Sequence, residues 1–253
     1  MVATIHALAP RLAILENVRG LTHKDYEKDW ETIRSALQQV ADDVGYVFLY
    51  SMMDAREHGL PMRRNRMWML LLKREHHNGS FQWPGRLLPV LPEPLLDGQP
   101  LPLAQLTGMR PEQRSYHKSL DGVLEKLRRE GGISPLERTV FVELGARGQS
   151  YGEVCPNLAH EVKPFWLTNR GRTLNTDERM RLMGHDPNLL KLAVGTRQFE
   201  KQLGNSMPLN VLERLLCRAL PSVGLTGSLL DRWNDGSRYT ELAATAQRQA
   251  VVF

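Results

Sequence analysis

The chain has 253 residues, 42% of them hydrophobic and 24% charged, which excludes a disordered or fibrous protein and leaves one or two globular domains. The formal net charge of +5 suits a polyanionic partner such as nucleic acid without requiring one. Two cysteines, Cys155 and Cys217, cannot form a disulfide framework, and no apolar run approaches a membrane span of about 18 residues. We therefore expect an intracellular protein without a secretory signal.

The first feature of chemical interest lies in residues 12–21, where an apolar run ends on Glu16, Asn17 and, three residues later, Gly20. In an open α/β sheet, ligands bind at the carboxyl ends of strands, so these side chains stand where a site is expected. Taken alone, most Glu-Asn pairs of this kind only cap the next helix or face water. The rest of the chain has to decide between these two interpretations.

Periodicity organises the first 75 residues. Apolar residues at helical spacing predict an amphipathic helix over 23–43, with Thr22 as its N-cap and Gly45 as its end. The aromatic and β-branched run over 46–50 and the apolar run over 67–72 predict two strands. The order strand, helix, strand, loop, strand is that of part of an α/β sheet.

The composition changes at residue 76. Six prolines between residues 76 and 108 exclude a long helix or a central strand there and indicate an irregular connection into a second, smaller domain. A helix over 111–130 and a strand over 139–144 are predicted next. The glycine-rich, polar residues 145–163 then form a candidate surface for a partner.

Two further helices are predicted after residue 165. Thr176 can cap a helix that ends at Gly184, in which Glu178 and Arg181 are three residues apart and can pair. Ser206 can cap another, with leucines at 212, 215, 216 and 220 as its buried stripe. Residues 221–253 carry little signal and are interpreted as a C-terminal tail.

Four segments resemble, in order, the later motifs of the cytosine-5 methyltransferase family. Glu16-Asn17-Val18 matches its Glu-Asn-Val, and residues 59–66 match Gly-x-Pro-Gln-x-Arg-x-Arg. After a variable region of about a hundred residues, 172–184 match Arg-x-Leu-Thr-x-x-Glu-x-x-Arg-Leu-x-Gly, and 204–208 match Gly-Asn-Ser-x-Pro. Each motif alone is weak, but four in the family's order are specific.

The resemblance implies an α/β fold: a partial Rossmann-like sheet of an S-adenosylmethionine-dependent methyltransferase, plus a small irregular α+β target-recognition domain. Residues 1–75 would be the C-terminal portion of the catalytic domain, and 76–165 the target-recognition domain. Residues 166–220 would return to complete the catalytic domain. The implied activity is that of a DNA (cytosine-5-)-methyltransferase acting on a flipped cytosine.

The resemblance also implies roles for single residues. Glu16 would hold cytosine N3, Arg66 would stabilise charge at O2, and Arg64 would order the site or contact backbone phosphate. Asn205 and Ser206 would line the pocket of the cofactor, S-adenosylmethionine, and no metal is implied. Supporting, structural roles fall to Asn17, Val18, Arg172, Glu178 and Arg181.

The departures from the family pattern concern the nucleophile. The family's Pro-Cys pair and glycine-rich cofactor loop lie upstream of Glu-Asn-Val, but neither occurs in these 253 residues, and Met62 replaces the motif's Gln. Cys155-Pro156 has the reverse order. Three explanations stay open: a C-terminal fragment of a larger enzyme, one subunit of a split enzyme, or a catalytically inactive relative that binds DNA or a partner.

The implied partners follow from these explanations. DNA would lie against residues 76–165 and bind in a salt-dependent way, although a branch of the family that acts on tRNA has similar motifs. A complementary N-terminal half would pair with the strand carrying Glu16, whose apolar edge would otherwise make the isolated chain poorly soluble. The expected location is the nucleus in a eukaryote and the cytoplasm in a prokaryote.

Overall fold

The structure, a computed structural model, describes residues 1–101, 117–131, 137–143, 151–158 and 164–249. Its strands are β1 (Leu12–Val18), β2 (Tyr46–Asp54), β3 (Asn65–Lys73), β4 (Phe141–Glu143), β5 (Tyr151–Gly152), β6 (Phe165–Leu167) and β7 (Arg172–Thr173). Its helices are α1 (Val2–Leu8), α2 (Glu27–Val44), α3 (His117–Gly131), α4 (Thr176–Leu182), α5 (Thr196–Asn205), α6 (Leu209–Ser222) and α7 (Ser237–Gln249).

The first sheet has the order β1-β3-β2, with β3 antiparallel to both neighbours. Helix α2 connects β1 to β2. Residues 55–64 then reverse the chain direction, so that β3 lies between β1 and β2. Residues 66–72 of β3 are all buried, as the continuous apolar run requires of a central strand. The predicted order of strand, helix, strand, loop and strand is confirmed.

The two faces of this sheet are covered by different parts of the chain. On one face, helices α1 and α2 pack Ile5 and Leu37 against Met69 of β3. On the other face, the helices after residue 195 pack residues such as Leu215 against Trp68. The return segment therefore lies against the face of the sheet that also carries Glu16, because Glu16 and Trp68 are directly opposed across β1 and β3.

Strand β1 stands at the edge of the sheet. In the part of the chain that the structure describes, it pairs only with β3, and none of its seven residues is fully buried. The expected open edge beside Glu16 is thus present among the described residues. The poor solubility expected from that edge stays a prediction.

A second sheet, ordered β5-β4-β6-β7, lies in the variable region and the start of the return. Helix α3 covers one side of it, packing Leu120 and Val123 against Val140 and Val142. Phe141, from the opposite side, joins the core of the first sheet. The predicted helix over 111–130 is observed as α3, and residues 102–116 lie outside the described residues.

In residues 77–101, the described part of the proline-rich segment, the one helical element is the short 3₁₀ turn Glu93–Leu95, as the composition predicts. It is nevertheless well packed, since Leu95 and Leu96 are buried in the main core.

Several local expectations are wrong. Ser206 caps the C-terminus of α5, which the sequence did not predict, and Pro208 occupies the N-cap of α6. Residues 221–249 of the segment interpreted as a C-terminal tail are packed against the core, because α7 buries Leu242 and the preceding turn buries Trp233. Helix α1 was also not predicted.

The N-terminus of α4 differs from expectation too. Asn175, not Thr176, is its cap: the Asn175 side chain accepts the Glu178 amide, and the Glu178 carboxylate accepts the Asn175 amide at 2.9 Å. Glu178 and Arg181 do not pair with each other. Arg172 instead forms a two-point ion pair with Glu178, at 2.7 and 2.8 Å, and Arg181 pairs with Asp97.

These pairs form one buried network that joins three segments of the chain. The Glu178 carboxylate also accepts the Asp97 amide at 2.8 Å, and the Arg181 guanidinium donates to the Leu95 carbonyl at 2.9 Å. Glu178 and Arg181 are fully buried. The network therefore fixes the proline-rich segment against α4, far along the chain.

A second buried cluster fixes α6 to the turn after β2. Arg214 donates to the imidazole Nδ1 of His58 at 2.7 Å and to the Gly85 carbonyl at 2.8 Å, and it pairs with Asp231 at 2.9 Å. Asn210 donates to the backbone carbonyls of Ala55 and His58. Burial and the adjacent guanidinium lower the pKa of His58 to about 4.

Within the described ranges, no helix combines the length and the apolar character needed to cross a bilayer.

We predict that replacing Glu178 by Ala lowers the free energy of unfolding by about 3 kcal/mol, because it leaves the partly buried Arg172 without its carboxylate and the Asn175 and Asp97 amides without their acceptor. The matched control is Glu31→Ala, which removes an exposed i,i+3 pair with Arg34 and should cost less than about 1 kcal/mol. Urea unfolding measures both. Equal losses in the two variants would contradict a structural role of the Glu178 network.

We also predict that stability falls on acidification through His58. Its pKa is about 4 in the folded state and 6.5 in the unfolded chain, so only the unfolded chain takes up this proton between these values. The stabilisation is complete above pH 6.5 and is lost towards pH 4, by up to about 3 kcal/mol. Urea unfolding at pH 7.5 and pH 5 should show a smaller pH effect in His58→Gln. The exposed-site control His23→Gln should retain the full effect, and an unaltered slope in His58→Gln would refute the assignment.

Candidate active site

Glu16 and Arg66 meet at the end of the first sheet. Glu16 is paired with Trp68 across β1 and β3, and Arg66 is paired with Val18, so the two side chains are diagonal neighbours on one face. The Arg66 Nε atom lies 2.6 Å from Glu16 Oε1, and the two side chains are 9% and 13% exposed. The sequence prediction placed both residues in one site, and the structure brings them into direct contact.

The environment of Glu16 favours its protonated form more than water does. Burial raises the pKa of the Glu16 carboxyl above its ordinary value, and the charges of Arg66 and Arg64 oppose this rise without cancelling it. A carboxyl group with a raised pKa can hold or give a proton nearer to neutral pH. The same burial lowers the pKa of Arg66, which Glu16 partly offsets.

Arg64 is only 1% exposed, and its guanidinium is occupied by protein acceptors. It donates to Asn157 Oδ1 at 3.0 Å and to the carbonyls of Leu158, Gly204 and Ser206 at 2.9, 2.9 and 2.6 Å. Burial lowers its pKa to about 10, so it stays charged at neutral pH. This setting favours the ordering role expected for Arg64 over contact with backbone phosphate.

The two remaining residues of the first motif act locally. The Asn17 side-chain oxygen accepts the Val18 amide at 2.8 Å, which closes the end of β1. Val18 itself is 53% exposed.

The last motif lies beside Arg64. The carbonyls of Gly204 and Ser206 accept its Nη2, and the Ser206 hydroxyl donates to the Leu203 carbonyl at 2.8 Å. Asn205 is exposed, so its carboxamide faces outward from the end of α5. Hydrogen bonds from Arg64 therefore fix the backbone on both sides of Asn205, at Gly204 and Ser206.

Arg172, Glu178 and Arg181 belong to the buried network with Asp97 described above and not to the cluster around Glu16. Their hydrogen bonds and ion pairs run among themselves and to the proline-rich segment. The structural role expected for these three residues stays a prediction.

The two cysteines lack the surroundings of a nucleophile. Cys155 is fully buried, and burial raises the pKa of its thiol far above the usual range. Burial also raises the pKa of Cys217. Met62, at the motif's Gln position, is fully buried and forms a backbone bridge with Cys155.

Asn157 is a residue of this cluster that the sequence did not predict. Its Oδ1 accepts from Arg64 Nη1 at 3.0 Å and from Arg66 Nη2 at 3.4 Å. It lies in the variable region, about ninety residues from both arginines, so no local pattern could have pointed to it. Among the described residues, no group of His, Cys, Asp or Glu side chains could hold a metal ion.

Comparison with known proteins gives a consistent result. Residues 1–93 match the family described as C-5 cytosine-specific DNA methylase. The chain is 23% identical to the type II methyltransferase M.HhaI of Haemophilus parahaemolyticus over 216 residues, which cover 81% of this chain and 61% of that protein. It is 25% identical to the type II methyltransferase M.NgoBI of Neisseria gonorrhoeae over 214 residues, with coverages of 83% and 62%.

A solved structure supports the fold. A candidate DNA modification methyltransferase encoded within a prophage (E. coli) aligns with a TM-score of 0.52 at 17% identity, covering 89% of this chain and 73% of that one. The α/β class and the partial methyltransferase sheet are confirmed. The chain spans about three fifths of the length of the curated relatives that it matches. Over residues 1–93, this chain is similar to the C-5 cytosine-specific DNA methylase family, and it resembles the C-terminal part of such a protein.

Proposed function

We propose that this chain supplies the base-activating half of the active site and the target-recognition domain of a DNA (cytosine-5) methyltransferase. The observation that carries the proposal is the buried Glu16–Arg66 pair at the end of β1 and β3, within a segment that matches the family. Residues 1–75 and 166–220 form the catalytic portion, and residues 76–165 form the recognition domain.

Glu16 acts on the ring nitrogen of the flipped base. Cytosine C6 is a poor electrophile, and a nucleophile can add there only if N3 is protonated or strongly hydrogen-bonded. The raised pKa of Glu16 suits a carboxyl group that gives this proton. Arg66, charged and beside it, stabilises the negative charge that develops at the base oxygen O2.

The nucleophile comes from outside these 253 residues. Burial raises the pKa of the Cys155 thiol and so disfavours its thiolate form, and Cys217 lies on α6, where its thiol contacts the Leu230 carbonyl. A segment that carries the missing Cys would bind along the open edge of β1. The exposed peptide groups of an edge strand are suited to such pairing.

The methyl donor is S-adenosylmethionine, which supplies an electrophilic methyl group. In this chain, Asn205 and Ser206 would contribute to its pocket. They fit this role because the Asn205 side chain is exposed and the Ser206 backbone is fixed by Arg64. The rest of the pocket would belong to the segment that carries the Cys.

A second candidate function is a binding protein without catalysis. Met62 favours it, since a buried thioether cannot make the hydrogen bonds of the family's Gln. Both functions require a polyanionic partner, and the net charge of +5 is consistent with one.

The first test of this proposal is methyl transfer. The chain is combined with a complementary segment that carries a Pro-Cys pair and a glycine-rich cofactor loop, and labelled methyl incorporation into DNA is measured. We expect Glu16→Gln to lower kcat about 10²- to 10⁴-fold, because the amide can donate a hydrogen bond but cannot release a proton. Glu31→Gln, on the outer face of α2, should leave the rate unaltered. Full activity of Glu16→Gln would contradict the role of Glu16 as a proton donor. A wild-type mixture without methyl transfer would favour the second candidate function, a binding protein.

The pH dependence gives a further check within the same assay. The active form of Glu16 is the protonated one, so kcat/KM should fall as the pH rises through its raised pKa. Loss of the Arg66 charge raises that pKa further, and the falling limb should move to higher pH in Arg66→Met. A limb that moves to lower pH would contradict the pairing of the two residues.

The second test is nucleic-acid binding by the chain alone, measured by fluorescence anisotropy with duplex DNA and with a tRNA at several salt concentrations. We expect DNA affinity to fall steeply with salt, with a log–log slope of about −0.9 for each phosphate neutralised. Tighter binding of the tRNA would reassign the substrate to RNA. No retention of either at low salt would count against both candidate functions.

A further inference from the structure

The segment 155–158 of the variable region lies directly on residues 59–64, here called the arginine loop, which carries Arg64 and leads into β3 and Arg66. The Cys155 amide donates to the Pro61 carbonyl at 2.9 Å, and the Arg63 amide donates to the Cys155 carbonyl at 2.8 Å. Met62 and Cys155 form a parallel bridge. Two backbone hydrogen bonds, one donated by each segment, thus fix the position of residues 155–158 against the arginine loop.

Asn157 presents its oxygen to the arginines from this fixed backbone. One atom, Asn157 Oδ1, accepts from Arg64 Nη1 at 3.0 Å and from Arg66 Nη2 at 3.4 Å. The residue is otherwise exposed, so packing does not account for the inward orientation of its oxygen. Two guanidinium groups that repel each other are held side by side by this shared acceptor and by Glu16.

The contacts of Arg66 show why this acceptor matters. Its Nε lies against Glu16, and its Nη1 donates to the carbonyl of its own neighbour, Asn65, at 3.0 Å. Asn157 is the remaining side-chain oxygen that the structure gives to Arg66 within its described ranges. Without it, the Nη2 end of the guanidinium loses the side-chain acceptor that holds it beside Glu16.

We propose that Asn157 is a positioning residue, which holds the Arg66 guanidinium in the orientation that pairs it with Glu16. This inference rests on the proposed function for its catalytic meaning, but the contact itself can be tested without catalysis. Because Asn157 belongs to the variable region, it links the segment assigned to target recognition directly to the residues that activate the base. A shift of the recognition segment would therefore change the geometry of the Glu16–Arg66 pair.

The test uses the full chain and compares Asn157→Ala with Asn157→Asp. The Ala variant removes the acceptor, whereas the Asp variant keeps an oxygen at the same place. The readout is the exchange rate of the Arg66 Nε proton with water, followed in ¹⁵N-edited NMR spectra and assigned through Arg66→Lys. Asn188→Ala, an exposed Asn outside the site, is the matched control.

We expect the Arg66 Nε proton to exchange at least about tenfold faster in Asn157→Ala and to keep its protection in Asn157→Asp and Asn188→Ala. Far-UV circular dichroism and the thermal midpoint show whether each variant is folded. If Asn157→Ala is unfolded, the exchange rate of the Arg66 Nε proton in Asn157→Asp decides: a slow rate supports the proposal, and a fast rate overturns it. Unaltered exchange in a folded Asn157→Ala overturns the proposal. So does loss of protection in a folded Asn157→Asp.

In the methyl-transfer assay, Asn157→Ala should lower kcat on the order of tenfold to a hundredfold, because the misplacement of a catalytic group has effects of that size. The KM for DNA should be unaltered, and Asn157→Asp should recover most of the rate. A rise in KM with normal kcat would assign Asn157 to DNA binding instead. The NMR result stands even if the wild-type mixture proves inactive, so failure of the positioning role and failure of the proposed function are distinguishable.

Discussion

The structure depends on a buried guanidinium. Arg64 is almost fully excluded from water, and a charge in that setting is tolerated only if acceptors surround it. It finds them on two distant segments: Asn157 and Leu158 of the variable region, and Gly204 and Ser206 of the return. The cost of burying the charge makes these contacts obligatory, so the three segments must assemble together or not at all. The residues of the candidate site are brought together as a consequence.

The need of a buried guanidinium for acceptors also explains why Arg64 and Arg66 have different partners. Arg64 donates to backbone carbonyls of Leu158 and Gly204 and so holds these two segments together. Arg66, two residues further along the chain and within β3, keeps Glu16 as its charged partner. Its position is determined by the strand pairing of β1 and β3 and, in our proposal, by Asn157.

A parallel arrangement holds the proline-rich segment to α4. Glu178 and Arg181 are fully buried, and each pairs with a residue outside its own helix, Glu178 with Arg172 and Arg181 with Asp97. The i,i+3 spacing of Glu178 and Arg181 suggested that they pair with each other, which is wrong. Burial changes the outcome, because a buried charge is bound by the partner that also satisfies its remaining donors or acceptors. Here that partner is the two-pronged guanidinium of Arg172 for Glu178, and for Arg181 it is Asp97 together with a backbone carbonyl.

By itself, the sequence determined the elements whose information is local. The alternation and continuity of apolar residues predicted β1, α2, β2 and β3, because a buried strand and a half-buried helix impose their periods on the residues that form them. The order of four motifs identified the family and placed Glu16 and Arg66 in one site. Tertiary structure alone decided that α5 and α7 belong to the core and that Asn157 joins the two arginines. The reason is physical: Arg64 contacts Asn157 and Ser206, which lie 93 and 142 positions away, and the energies of such contacts depend on burial that no local pattern encodes.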